Sequence, residues 1–95
     1  MNTKRMEEAV AIIEAELEHH RNSYRKNGID CDPVSEVIIR TEEDHVLFIY
    51  DGCGNDYFSY YTQLTSPRRR LFDRLQEAGF WAEDRNNWSM TIREI

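Results

Sequence analysis

Residues 34–50, with the sequence VSEVIIRTEEDHVLFIY, decide the fold class of this 95-residue chain. β-branched and aromatic side chains fill the segments Val34 to Thr41 and His45 to Tyr50, and the acidic triplet Glu42-Glu43-Asp44 separates them. Such side chains favour strands, and a short polar segment between two strands favours a hairpin. The stretch therefore predicts two antiparallel strands joined by an acidic loop.

Two further segments extend the predicted sheet toward the carboxyl end of the chain. The glycine-containing turn Asp51 to Asn55 is followed by the aromatic segment Tyr57 to Thr62, which predicts a third strand. Phe80 to Asp84 and Trp88 to Ile95 predict a terminal hairpin. In its second strand apolar and polar residues alternate, with Trp88, Met90 and Ile92 on one face and Ser89, Thr91 and Arg93 on a face expected to be wet.

Helices are predicted before and after these three strands. From Thr3 to about Lys26, side chains at alternating spacings of four and three residues form one helical stripe: Met6, Val10, Ile13, Leu17, His20 and Tyr24. Asn2 or Thr3 is expected to cap this helix, and Asn27-Gly28 to end it. A second helix is predicted from Ser66-Pro67 to Gly79, with a buried face of Leu71, Phe72, Leu75 and Ala78.

Together these elements predict one α+β domain over residues 1–95, in the order α-β-β-β-α-β-β. We expect an antiparallel sheet of about five strands with both helices on one side of it. The chain is 40% apolar, which is enough for a core of its own. The stripe on the first helix is expected to pack on this sheet, and the alternative is a homodimer formed through the same helix.

The net charge of −6 is concentrated in one segment of the chain. Residues 1–29 are neutral and residues 57–95 have one excess base, so residues 30–56 account for −7. A single base, Arg40, lies there among eight acids: Asp30, Asp32, Glu36, Glu42, Glu43, Asp44, Asp51 and Asp56. Such a cluster suggests an acidic surface that attracts a basic partner. Solvated acids that deter strand addition at a sheet edge are the alternative.

Protein binding is the function that we expect from this surface. A non-enzymatic interaction module would present the acidic segment to a basic protein, with interface tyrosines beside it: Tyr57, Tyr60 and Tyr61. A role in the core is the alternative for these tyrosines. In a sharper form, the module is an inhibitor whose carboxylates replace phosphates in a nucleic-acid-binding complex. In size, acidity and lack of catalytic motifs the chain is similar to anti-CRISPR proteins, which implies viral or mobile-element counter-defence.

A basic cluster at the start of the second helix gives the alternative function: Arg68, Arg69, Arg70 and Arg74. Basic side chains there oppose the helix dipole, so they suggest contacts with phosphate. The predicted order of helix, three strands and helix over residues 3–78 resembles double-stranded-RNA-binding domains, which implies nucleic-acid binding. The acidic balance, the long first helix and the terminal hairpin depart from that family.

No pattern in the sequence names a reaction, a metal or a cofactor. The soft ligands show no zinc spacing, the acidic loops lack EF-hand spacing, and no nucleotide-binding or nucleophile motif occurs. We therefore expect no enzyme activity, metal or cofactor. The longest apolar run, Val46 to Tyr50, is too short for a membrane span. A cytoplasmic protein without membrane contact is expected, with Cys31 and Cys53 as free thiols.

Overall fold

The computed structural model describes residues 1–27, 31–60 and 65–95 of the chain. The described residues form an α+β fold of three helices and four strands. In chain order the elements are α1 (Thr3–Asn27), β1 (Val37–Thr41), β2 (Val46–Tyr50), α2 (Asn55–Phe58), α3 (Thr65–Glu77), β3 (Phe80–Asn86) and β4 (Ser89–Glu94).

The four strands form one antiparallel sheet in the order β1-β2-β4-β3. β1 and β2 are the predicted hairpin, with Val37 opposite Tyr50 at one end and Thr41 opposite Val46 at the other. β2 also pairs with β4, so the last strand lies in the middle of the sheet. This order leaves β1 and β3 as the two edges.

The core lies between one face of the sheet and the helices. Its fully buried side chains alternate along the two central strands, where Val46, Phe48 and Tyr50 of β2 lie beside Met90 and Ile92 of β4. The helices cover them with Met6, Ala9, Ile13 and Leu17 of α1, Phe58 of α2, and Leu71 and Leu75 of α3. The expectation that both long helices pack on one side of an antiparallel sheet is confirmed.

α1 follows the predicted stripe closely. Asn2 caps the helix, because its Oδ1 accepts a hydrogen bond of 2.9 Å from the Arg5 N–H. Along the stripe Met6, Ile13, Leu17 and His20 are buried and Val10 is half-buried. The side chain of Tyr24 and the predicted stop at Gly28 lie outside the described residues. The stripe therefore packs on the protein's own core.

α3 begins at Thr65, one residue before the predicted cap, so that Ser66 and Pro67 lie inside its first turn. The predicted stop at Gly79 is confirmed. Gly79 has a φ of 90°, a conformation that side-chain-bearing residues rarely adopt, and its N–H donates to the Gln76 carbonyl at 3.0 Å. Gly79 thus ends α3 and starts β3.

The predicted third strand, Tyr57 to Thr62, is wrong where the structure describes it. Asn55 to Phe58 form a single helical turn, α2, whose Tyr57 and Phe58 side chains are buried. Residues 61–64 lie outside the described residues. Because the described part of this segment is helical, the described sheet has four strands and not about five. Strand propensity gave the wrong prediction because the rings of Tyr57 and Phe58, adjacent in the chain, both pack in the core. A helical turn can bury two neighbouring side chains together, whereas a strand points them to opposite faces.

The terminal hairpin is confirmed, but its expected wet face is not. Ser89 and Thr91 are buried, although they lie on the face opposite Met90 and Ile92. The reason is position, since β4 is a central strand and its neighbours on both sides shield these small side chains. Trp88 precedes the strand and is 43% exposed.

The expectation of two free thiols is also wrong. Cys31 and Cys53 form a disulfide, with 5.2 Å between their Cα atoms. Cys31 precedes β1 and Cys53 follows β2, so the hairpin register brings both to the same end of the sheet. The disulfide therefore joins the two segments that enter and leave the hairpin.

Candidate functional site

The acidic segment is divided by the hairpin into two groups of carboxylates. Glu42, Glu43 and Asp44 connect β1 to β2 and are named here the turn-end acids. Asp32, Glu36, Asp51 and Asp56 lie in the two segments that the Cys31–Cys53 disulfide joins at the other end and are named the disulfide-end acids. Each strand between them has five residues, which is about 13 Å from end to end. The acids form two patches that flank one hairpin.

The disulfide-end acids are held by close packing of two loops. Gly52 lies so near Glu36 that a Cβ on Gly52 would come within 2.8 Å of the Glu36 Oε2 atom. Asp32 accepts a hydrogen bond of 3.0 Å from the Val34 N–H, which fixes the turn before β1. The glycine therefore brings the Glu36 and Asp51 segments together.

Three of the acids have basic partners. Asp32 lies 3.4 Å from the Arg21 Nε, Glu42 lies 2.8 Å from the Arg40 Nη2, and Asp44 lies 3.2 Å from the Arg93 Nη1. The pKa of Asp44 is lowered, first by a hydrogen bond with His45 and then by Arg93. Only Arg21 and Arg93 come from outside the acidic segment, so its excess of negative charge is reduced and not removed.

The other acids keep their charge on the surface. Glu36, Glu43 and Asp51 are exposed and have no ion-pair partner among the described residues. Asp56 is exposed in the first turn of α2. Asp30 lies outside the described residues. Within the described part of the chain, both acidic patches therefore contain at least one carboxylate without a basic partner.

The three tyrosines proposed for the interface have different positions. Tyr57 is 4% exposed and its hydroxyl donates to the Cys31 carbonyl at 3.1 Å, so it belongs to the core. Tyr60 is 47% exposed. Tyr61 lies outside the described residues. Of this set, Tyr60 is the one whose described position is open to a partner.

The arginine cluster is largely used inside the fold. Arg68 makes two hydrogen bonds to Asp84, of 2.6 and 2.8 Å, and a third of 3.0 Å to the Phe58 carbonyl. The bond to Asp84 raises the pKa of Arg68, which keeps its guanidinium charged. Arg68 therefore joins α3 to β3 and to the end of α2.

Arg70 and Arg74 share a carboxylate that the sequence analysis did not single out. Glu16 of α1 is completely buried, and it accepts hydrogen bonds of 2.8 Å from the Arg70 Nε and 2.6 Å from the Arg74 Nη1. The sequence holds a signal for this role, because Glu16 lies on the buried stripe between Ile13 and His20. Arg69 is exposed and has no ion-pair partner among the described residues.

His20 completes this buried group. Its Nε2 lies 3.4 Å from the Glu16 Oε2 but lacks hydrogen-bond geometry, so the atom is buried without a hydrogen-bond partner among the described residues. Burial lowers the pKa of His20, although the Glu16 charge raises it. The imidazole also packs against the rings of Tyr57 and Phe58, each at 5.9 Å between centroids.

The edge of β1 is open for backbone pairing. The Tyr50 N–H donates to the Trp88 carbonyl, so alternate residues of β2 direct their backbone groups toward β4. Ile39 lies opposite Phe48 and Thr41 lies opposite Val46, and both of these β2 residues direct their backbone groups toward β4. The backbone N–H and C=O groups of Ile39 and Thr41 therefore point away from the sheet. Among the described residues these groups have no hydrogen-bond partner. An unpaired strand edge thus runs between the two acidic patches.

Within the described residues there is no cluster of histidine, cysteine and acidic side chains able to hold a metal ion. None of the described helices is both long and apolar enough to cross a bilayer.

No protein-family model, curated protein or solved structure matches this chain. The resemblance to double-stranded-RNA-binding domains depended on three strands between two helices. Within residues 3–78 the described elements contain two strands and the helical turn α2 instead. The element order that suggested that family is therefore not the order of this fold.

Proposed function

We propose that the protein is a non-enzymatic interaction module whose two acidic patches bind a basic surface of a protein partner. The observation that supports this proposal is the pairing of the arginine cluster. Arg68, Arg70 and Arg74 pair with Asp84 and Glu16, and none of them pairs with a described acid of residues 31–56. The acidic segment keeps an excess of negative charge, and clustered charge of one sign accelerates encounter with a partner of the opposite sign.

The open edge of β1 supports a protein as the partner. Edge strands bind extended segments through backbone hydrogen bonds, and neighbouring side chains then select the sequence. Here carboxylates lie beyond both ends of the edge, and Ile38 on β1 is 50% exposed. A basic protein surface with an extended segment would satisfy the backbone groups and the charges together.

In its sharper form the proposed module is an inhibitor of a nucleic-acid-binding complex, as in viral counter-defence. Carboxylates placed beyond both ends of a hairpin can occupy basic sites that otherwise hold phosphates of a nucleic-acid backbone. Such an inhibitor would compete with nucleic acid for its partner and would itself need no catalytic group, metal or cofactor.

The experiment is affinity capture with matched charge variants. The wild-type protein, the double variant Glu43→Arg/Asp51→Arg and the control Glu77→Arg/Glu83→Arg are used as baits with lysate before and after nuclease treatment. The first variant changes one exposed carboxylate in each acidic patch, and the control makes the same change of net charge elsewhere. Captured basic proteins are then purified and their affinity is measured at rising salt.

We expect a partner that the wild type and the control retain and that Glu43→Arg/Asp51→Arg loses, with binding that weakens as salt rises. Displacement of nucleic acid from that partner would establish the inhibitor form. Equal binding by all three baits would contradict the proposal. Capture that disappears on nuclease treatment would favour the alternative, nucleic-acid binding through the arginine cluster.

A further inference from the structure

A cleft between α1 and α3 lies apart from the acidic patches. Its volume is about 400 Å³, which is the size of a small-molecule site. His19 and His20 line it from α1, and α3 contributes Ser66, Arg69, Arg70, Asp73 and Arg74. Much of the lining surface is apolar, and its polar groups come mainly from three arginines and two histidines, in a protein whose net charge is negative.

Two of the cleft arginines are oriented from behind by Glu16. The buried carboxylate binds Arg70 through its Nε and Arg74 through one Nη1, while the two side chains remain 49% and 40% exposed. A guanidinium has five N–H donors, so most donors of both arginines are not used by Glu16. The Glu16 carboxylate thus holds both arginine side chains in place and leaves most of their N–H donors available, as supporting groups do in preorganised binding sites.

The charges around the cleft favour an anion. Three arginines face two carboxylates, Glu16 and Asp73, which leaves one positive charge in excess. Arg69 has no ion pair among the described residues and its guanidinium is exposed at the cleft. Guanidinium groups bind phosphate and carboxylate oxygens with paired, charge-assisted hydrogen bonds. The Ser66 hydroxyl supplies one more donor.

We propose that this cleft binds the phosphate group of a small phosphorylated molecule. A small anion suits the site better than a nucleic acid, because a polymer would extend over the surrounding surface of an acidic protein. Arg68 is not part of the site, since Asp84 and the Phe58 carbonyl occupy its donors. This inference does not depend on the partner proposed for the acidic patches.

The test is a titration followed by amide NMR spectra, with inorganic phosphate and phenyl phosphate as probes at constant ionic strength. Acetate tests whether any carboxylate suffices, and a short single-stranded DNA tests the polymer. The variant is Arg69→Ala, because Arg69 has no described pairing whose loss would disturb the fold. The matched control is Arg85→Ala, an exposed arginine of β3 away from the cleft.

We expect saturable binding of phosphate or phenyl phosphate below about 10 mM, with shifts confined to residues around the cleft. The preferred probe separates a free phosphate site from one for a phosphate ester. Arg69→Ala should weaken binding about tenfold, which is the loss of one charged hydrogen bond, and Arg85→Ala should not. Absence of saturation, equal effects of the two variants, or tighter binding of acetate or DNA would each overturn the proposal.

Discussion

At Glu16 the chain buries a carboxylate completely, which is costly unless hydrogen bonds and opposite charge accompany it. Arg70 and Arg74 supply both from α3, more than fifty residues along the chain. Because these guanidiniums are half-exposed, they remain hydrated while the carboxylate is enclosed. One buried side chain thus links α1 to α3 in addition to the apolar packing between them.

Glu16→Gln tests that role. The amide keeps the shape of the side chain but removes its charge, so two charge-assisted hydrogen bonds become weaker. We expect the free energy of unfolding to fall by about 2 kcal/mol, measured by urea denaturation. Glu14→Gln, on the exposed side of α1, is the matched control and should change stability little. A Glu16→Gln protein as stable as wild type would show that the pairs do not stabilise the fold.

His20 predicts how stability depends on pH. Burial lowers its pKa below the ordinary 6.5, Glu16 opposes this shift, and His19 and Arg70 add to it. Below about pH 6.5 the unfolded chain binds a proton at this imidazole and the native protein does not, so stability falls as pH falls toward the lowered pKa. Denaturation at about pH 7.5 and about pH 5.5 should show this loss.

The matched variants separate His20 from the other groups that titrate. His20→Gln should reduce the loss of stability between the two pH values, whereas His19→Gln, on the exposed side of the helix, should preserve it. The interpretation fails if the two variants and the wild type lose the same stability on acidification.

At the scale of elements, the β1-β2 hairpin gains rigidity from the disulfide at its open end. Cys31 and Cys53 are separated by 22 positions, and the chain between them contains both strands and the turn-end acids. The covalent link restricts the unfolded chain, and it also holds the two loops of the disulfide-end acids together. The hairpin and both acidic patches therefore behave as one unit.

The double variant Cys31→Ser/Cys53→Ser should lower the free energy of unfolding by about 3 kcal/mol, from the loop that the bond closes. Denaturation of the wild type with added reductant should approach the same value. Reductant should have no effect on the double variant, which makes that protein the control. A wild type equally stable with and without reductant would mean that the bond does not stabilise the fold by restricting the unfolded chain.

Local signals in the sequence were enough to predict most elements. The hairpin within 34–50, the stripe from Met6 to His20 and the glycine stop at Gly79 each depend on neighbours within a few positions, and each is present in the structure. The first predicted strand begins at Val37 and not at Val34, because residues 34–36 form a turn. The predictions were wrong where contacts between residues far apart in the chain determine the local structure. Tyr57 and Phe58 form a helical turn because the core accepts both rings, and Ser89 is buried because β4 is central.

The sequence predicts the acidic composition of the candidate site but not the spatial arrangement of its residues. The acidic segment is visible from counting charges, but its division into two patches requires the hairpin register. The pairing of Arg70 and Arg74 with Glu16 joins residues more than fifty positions apart, which no local pattern encodes. Free thiols were expected because disulfides are rare in cytoplasmic proteins. The sequence also held a stronger signal for the disulfide, because a hairpin over 34–50 places both cysteines at its open end.

For the whole molecule, the use of the α1 stripe inside the core bears on oligomeric state. Met6, Ala9, Ile13 and Leu17 are each at most 7% exposed, so these four side chains offer no surface to a second helix. A homodimer through α1 would have to use other side chains of the helix. Sedimentation equilibrium at neutral pH should give the monomer mass of 11.4 kDa. A stable dimer that Ile12→Glu disrupts would contradict this expectation, since Ile12 is only half-buried.

The unpaired edge of β1 has a consequence for handling the protein. At neutral pH, mutual repulsion between the acids at both ends of the edge keeps two copies from joining there. The isoelectric point calculated from the sequence is about 5.0, so the repulsion between whole chains is weakest in mildly acidic buffer while the edge stays open. Precipitation through strand-to-strand contacts is then the expected behaviour, and purification or crystallisation above that pH keeps the chains apart.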